Sequence, residues 1–145
     1  MEYEKGDLLD LFNHKKIDIL VHGCNCFNTM GAGIAKQIKE KYIDAYNADL
    51  LTVKGDKNKL GTYSISKINE TQYIINAYTQ YYYFGKRPLN YEALRNVFKL
   101  INKNFSNKII GIPKIGAGLA KGDWNIIKNI IEEETTNNKL ICVYL

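Results

Sequence analysis

The stretch His22-Gly23-Cys24-Asn25-Cys26 places an imidazole, two thiols and a carboxamide within five residues, behind the apolar run Ile17-Asp18-Ile19-Leu20-Val21. If the chain stays extended there, alternate residues share a face and His22, Cys24 and Cys26 project together. Such a trio suits a metal ion in principle, but the spacing is tighter than that of common zinc sites and His14, the other histidine, brings no partner pattern. A packed loop is the simpler reading, and no metal is expected. His22 stands where a buried strand ends, which is where ligands sit in open α/β sheets, so it could move a proton near neutral pH or simply hydrogen-bond the loop. Asn25 carries both a donor and an acceptor, which suits a pair of sugar hydroxyls or the loop's own backbone. Asp123, just before Trp124, reads as the N-cap of a last helix, a role that does not stop it facing a ligand.

Two glycine-rich turns follow apolar strands. Met30-Gly31-Ala32-Gly33-Ile34-Ala35 is the first, and Ile115-Gly116-Ala117-Gly118-Leu119-Ala120, after Ile109-Ile110-Gly111-Ile112-Pro113, is the second. Small residues between a strand and a helix leave backbone N–H groups free at the positive end of the helix dipole, where phosphate oxygens bind. A pair of such turns in one small domain points to a ligand with two linked phosphates. Neither is a dinucleotide fingerprint, because Lys36 stands where the third glycine belongs, and no Gly-Lys-Ser/Thr sequence exists to form a P-loop. Tyr81, Tyr82, Tyr83 and Phe84 form an aromatic cluster that either stacks on a base or ribose or closes over the core.

The elements that must position these groups follow a βα pattern. Strands are expected at 3–5, 16–22, 61–68, 72–78, 108–113 and 140–145, with 61–68 and 72–78 as an antiparallel pair joined through Asn69-Glu70. Helices are expected at 33–42, 44–51, 91–104 and 123–134, with a short one ending near Asn13. Leu94, Val97, Phe98 and Ile101 give the 91–104 segment one apolar face. The 145 residues fit one domain, 1–145, with 46% apolar content and 2 prolines, as in an ordinary α/β protein with a mixed sheet and helices on both sides.

The formal charge of +5 comes from scattered lysines, with Arg87 and Arg95 the only arginines. The abundance of Asn and Ile alongside Lys fits an A/T-rich coding bias, and no basic stripe calls for nucleic acid. Three cysteines, an odd number, and no apolar run long enough for a signal peptide or membrane helix lead to the expectation of a reducing, cytoplasmic setting. Cys142 reads as a small buried hydrophobe.

The two turns, the early Gly6-Asp7-Leu8 and the closing Val143-Tyr144-Leu145 together resemble the macro domain family, which binds ADP-ribose, over nearly the whole chain. That resemblance implies a three-layer α/β/α fold with a central mixed sheet. It also implies that Asp7 accepts a hydrogen bond from the adenine amino group, Leu8 lines the base pocket and Tyr144 lies near the adenine. Gly31, Ala32, Gly33 and Ile34 would cradle the diphosphate with Ile115, Gly116, Ala117, Gly118 and Leu119, and Asn25 would sit at the distal ribose. The sequence around His22, Cys24, Asn25 and Cys26 is most similar to the branch that removes phosphate from ADP-ribose 1''-phosphate, with His22, Asn25 and Asp123 as the implied catalytic residues. The alternatives are a hydrolase that removes ADP-ribose from protein or nucleic acid, and a non-catalytic reader. Gln80 and Ala120 stand where one hydrolase branch uses a lysine and an aspartate, and glutamine cannot form the amine adduct that lysine can. The expected partner is a small ADP-ribose derivative, with nucleic acid only as a modified substrate, no membrane, no cofactor, and a monomeric state.

Overall fold

Side-chain alternation along the strands sorts the core into two layers. A computed structural model describes residues 1–83, 89–118 and 120–145, so Phe84 of the aromatic cluster and Leu119 of the second turn lie outside the described residues. The strands are β1 (Glu2–Lys5), β2 (Ile19–Cys24), β3 (Tyr63–Lys67), β4 (Tyr73–Tyr78), β5 (Ile109–Ile112) and β6 (Lys139–Tyr144). The α-helices are α1 (Leu8–Asn13), α2 (Gly33–Lys41), α3 (Ile43–Leu50), α4 (Tyr91–Asn104) and α5 (Trp124–Glu134). One six-stranded sheet runs in the order β1-β6-β5-β2-β4-β3, with every neighbouring pair parallel except β3 against β4.

On one face, Ile19 and Val21 of β2, Ile110 and Ile112 of β5 and Cys142 of β6 pack with Leu94, Val97, Phe98 and Ile101 of α4 and Ile127, Ile130 and Ile131 of α5. On the other, Leu20, Ile74, Ile141 and Val143 meet Leu8, Leu9 and Phe12 of α1, Ile38 of α2 and Ala45 of α3. Period-2 alternation in the strands thus feeds both helical layers, and the expected three-layer mixed-sheet fold is what forms. Among the described residues no helix is long and apolar enough to cross a membrane.

The 91–104 helix has the expected limits, because Asn90 accepts from the Ala93 N–H at its start and its apolar stripe is continuous. β2 differs: it ends at Cys24 rather than His22. Parallel pairing with β4 continues from Ile19 opposite Tyr73 to Cys24 opposite Tyr78, so Gly23 and Cys24 stay extended where sequence alone suggested a loop. This carries the strand two residues further toward the edge where the glycine turns lie.

Gly111 of β5 allows close packing of the segment before β2. A Cβ there would collide with three carbons of Ile17, itself fully buried. Gly111→Ala is expected to cost about 1–3 kcal/mol through overpacking, read as a lower denaturant midpoint; an unchanged midpoint would show that Ile17 has room to move.

Candidate functional site

β2 and β5 are adjacent and parallel, but the chain leaves them toward opposite faces: α2, after β2, packs with α1 and α3, and α5, after β5, packs with α4. Such a reversal opens a crevice at the carboxyl ends of the two strands. The cleft lies there, with a volume of about 610 Å³, and both glycine turns line it: Gly31, Ala32, Gly33, Ile34 and Ala35 on one side, and Ile115, Gly116 and Gly118 on the other.

The N-terminus of α2 has no side-chain cap. Its N-cap residue is Ala32, whereas α1, α4 and α5 are capped by Asp7, Asn90 and Asp123. The first turn of a helix leaves N–H groups without intrahelical partners, and with an alanine cap those of Gly33, Ile34 and Ala35 meet no acceptor among the described residues. In the second turn Ile115 donates to the Pro113 carbonyl at 2.8 Å and Ala117 to the Lys114 carbonyl at 3.2 Å. Between Ile115 and Gly118 the amides left for a ligand are therefore those of Gly116 and Gly118, while those of Ile115 and Ala117 shape the turn. Ala117 also packs against the α4/α5 core rather than lining the cleft. Gly116 needs its glycine twice over, for a φ of +73° and because a Cβ would press on Leu89. At Gly31 and Gly118 a Cβ would meet nothing within 4 Å, as expected of backbone facing the cleft.

Asn25 lines the cleft, but its carboxamide is already engaged: Oδ1 accepts from the Phe27 N–H at 2.8 Å and Nδ2 donates to the Thr29 hydroxyl at 2.7 Å. It holds the loop between β2 and α2 in shape while presenting its edge to the cleft. Gln80 and Tyr83 close the β4 side, and the Gln80 amide donates to the Tyr82 carbonyl. Lys114 is the one formally charged side chain among the described lining residues; its Nζ lies 5.8 Å from the Tyr144 ring centroid, within cation–π range.

Other expected site residues are placed differently. His22 is fully buried on the α3 side of the sheet, where its ring bonds the Asn76 Oδ1 at 2.6 Å, and Asn76 in turn donates to the Ala45 carbonyl of α3. Burial, partly offset by the Asn76 bond, lowers its pKa to about 4. Contrary to the expectation of a ligand-facing group at the strand end, the imidazole is turned to Asn76 and stands outside the cleft wall. Asp123 is exposed, caps α5 through the Asn125 N–H and does not line the cleft. Asp7 caps α1, and Leu8, almost fully buried, belongs to the core; with Tyr144 they stand outside the cleft wall, at the ends of β1 and β6 beyond β5. Burial pushes the Cys26 thiol up to about 11 and raises the Cys24 thiol well above its ordinary value, so neither is a ready thiolate at neutral pH. Among the described residues no group of three His, Cys, Asp or Glu side chains could hold a metal ion.

Thr29 and Lys114 are lining residues that sequence reasoning did not single out. Lys114 had a usable signal in its place just past the end of a buried strand. Thr29 had none, since its position follows from the loop closing around Asn25.

The arrangement can hold an extended anion between two sets of amides, beside one cation. Residues 21–131 match the sequence profile of the family described as Macro domain. The chain is 38% identical to an uncharacterized 17.5 kDa protein of Enterobacteria phage T4, over 99% of this chain and 95% of that one. It is 26% identical to an ADP-ribose 1''-phosphate phosphatase of Debaryomyces hansenii, over 100% of this chain and 98% of that one. The solved macrodomain of Thermus aquaticus DarG superposes with a TM-score of 0.75 at 22% identity, over 99% of this chain and 97% of that one, a likeness of fold.

The placement of His22 has a consequence for stability. Folded, it stays neutral down to about pH 4; unfolded, it takes a proton below about 6.5, so its contribution is complete above that value and is lost as the pH falls toward 4. The full loss is on the order of 3 kcal/mol. Urea unfolding at pH 7.5 and 4.5 is expected to show a drop that is about 2 kcal/mol smaller in His22→Gln; equal drops would mean the imidazole is not held neutral.

Proposed function

The chain belongs to the Macro domain family, and from that premise we propose that its cleft binds ADP-ribose 1''-phosphate and hydrolyses it to ADP-ribose and inorganic phosphate. The observation that carries this reading is that the uncapped start of α2 and the second glycine turn line one and the same cleft, so that two sets of amides open on it. The full-length likeness to a phosphatase of Debaryomyces hansenii supports the choice of substrate.

In this reading the diphosphate lies between Gly33, Ile34 and the amides of Gly116 and Gly118, each charge-assisted bond contributing about 1.5–3 kcal/mol. Lys114 adds a positive charge on the β5 side, and the Asn25 loop with Gln80 and Tyr83 borders the terminal ribose. Water attacks the terminal phosphorus: its oxygen joins the phosphorus, the bond from phosphorus to the ribose oxygen breaks, and that oxygen leaves with a proton given up by the water. Catalysis then rests on holding the ester in place and on the field of the amides. A non-catalytic binder is the second reading, favoured because the described lining residues include no histidine or carboxylate.

Incubation with ADP-ribose 1''-phosphate is expected to release phosphate well above a buffer blank. Binding of ADP-ribose by calorimetry with release no faster than the blank would select the second reading. Gly31→Val adds bulk on the cleft side at a position where a Cβ meets no other atom within 4 Å, so it is expected to weaken ADP-ribose binding at least about tenfold with stability within about 0.5 kcal/mol of wild type. Wild-type affinity in that variant would move the ligand out of this cleft.

A further inference from the structure

Behind the loop that joins β2 to α2 lies a lysine that the cleft does not see. Lys59 is 7% exposed, and its ammonium has three kinds of partner, all on or beside that loop. Nζ donates to the Cys26 carbonyl at 3.1 Å and to the Asn28 Oδ1 at 2.6 Å, and stands 4.9 Å from the centroid of the Tyr78 ring. Tyr78 in turn donates its hydroxyl to Asp49, 1% exposed, at 2.6 Å. A buried cation and a buried carboxyl are therefore joined through one aromatic ring, a costly arrangement that persists only where the partners are well satisfied.

The loop held this way is not at rest in ordinary backbone. Asn28 has a φ of +58°, the left-handed region, and its amide also donates to the Thr52 carbonyl at 3.0 Å. Three residues earlier is Asn25, whose edge forms part of the cleft. Lys59 bonds the backbone at Cys26 and the side chain at Asn28, on either side of Phe27, so it fixes the middle of the loop directly. Among the described residues no other ammonium or guanidinium bonds Cys26 or Asn28. A methionine of similar length would fill the volume and supply none of the three N–H groups.

We propose that Lys59 is a positioning residue: its ammonium locks the 25–29 part of the loop into the shape that meets the terminal ribose of the ligand. This rests on the reading of the cleft as an ADP-ribose site. Its role is preorganisation, so its loss appears as a ligand-dependent penalty and not as general weakening. The half of the ligand held by the amides of α2 and the 116–118 turn does not depend on it.

The test compares ADP with ADP-ribose by calorimetry, and follows amide hydrogen exchange in the free protein, for wild type, Lys59→Met and Asn28→Gly. Glycine tolerates the left-handed φ and removes the acceptor, so it serves if Lys59→Met does not fold. Each variant is expected to weaken ADP-ribose on the order of tenfold while ADP changes less than about twofold. Amides at 26–29 are expected to exchange at least about tenfold faster, with those of β2 unchanged. Equal weakening of both ligands, or unchanged exchange at 26–29 in a folded variant, would overturn the proposal. If wild type binds neither ligand, the reading of the cleft falls, and the exchange result alone then decides whether Lys59 holds the loop.

Discussion

Backbone amides without partners at the mouth of one crevice are the constraint around which this fold is arranged. The residues that carry them are exposed at Gly33 and Gly118 and half-buried at Ile34 and Gly116, so water can complete these N–H groups until an anion takes its place. Here the chain caps α1, α4 and α5 with Asp7, Asn90 and Asp123, and sets Ala32 at the start of α2. Two helices, α2 and α3, start without a side-chain cap, at Ala32 and Tyr42, and of these only the start of α2 lines the cleft among the described residues. Its orientation is set by the sheet order, which places β2 beside β5 and sends their helices to opposite layers.

The surroundings of the crevice are cross-tied by buried hydrogen bonds. Asn25 closes a turn on Phe27 and Thr29, Lys59 ties the same loop to Tyr78 and Asp49, and His22 is locked to Asn76 beneath it. These polar groups are buried and bonded, so a small displacement of the loop is resisted by several interactions at once. The cleft itself is built mainly of glycine, alanine and isoleucine, with Lys114 as its formal charge among the described residues. Binding by main-chain donors asks little of side-chain chemistry, which is why so few titratable groups reach the ligand.

Much of this was legible in the sequence. The two glycine turns follow strands and precede helices in the sequence as they do in the fold, and both line the cleft. The three-layer architecture followed from Ile-, Leu- and Val-rich strands interleaved with amphipathic segments such as 91–104. What could not be read was direction. His22 and Cys24 share a strand face, but only the packing of α3 against that face decides that the imidazole meets Asn76 and not a ligand. Asp123 and Asp7 showed the ambiguity of a carboxylate before a helix: both are caps, and a cap's side chain is turned back on its own backbone. Lys59 gave no signal at all, since a lysine in a polar loop reads as solvated until Cys26 and Asn28 are seen to close over it.

The central claim is that amides from two separate crossovers grip one ligand, and amide chemical shifts report on it directly. In a ¹⁵N-resolved NMR titration with ADP-ribose, the signals of Gly33, Ile34, Gly116 and Gly118 are predicted to move together along a single saturation curve. Movement confined to one turn, or shifts centred on another part of the surface, would contradict it.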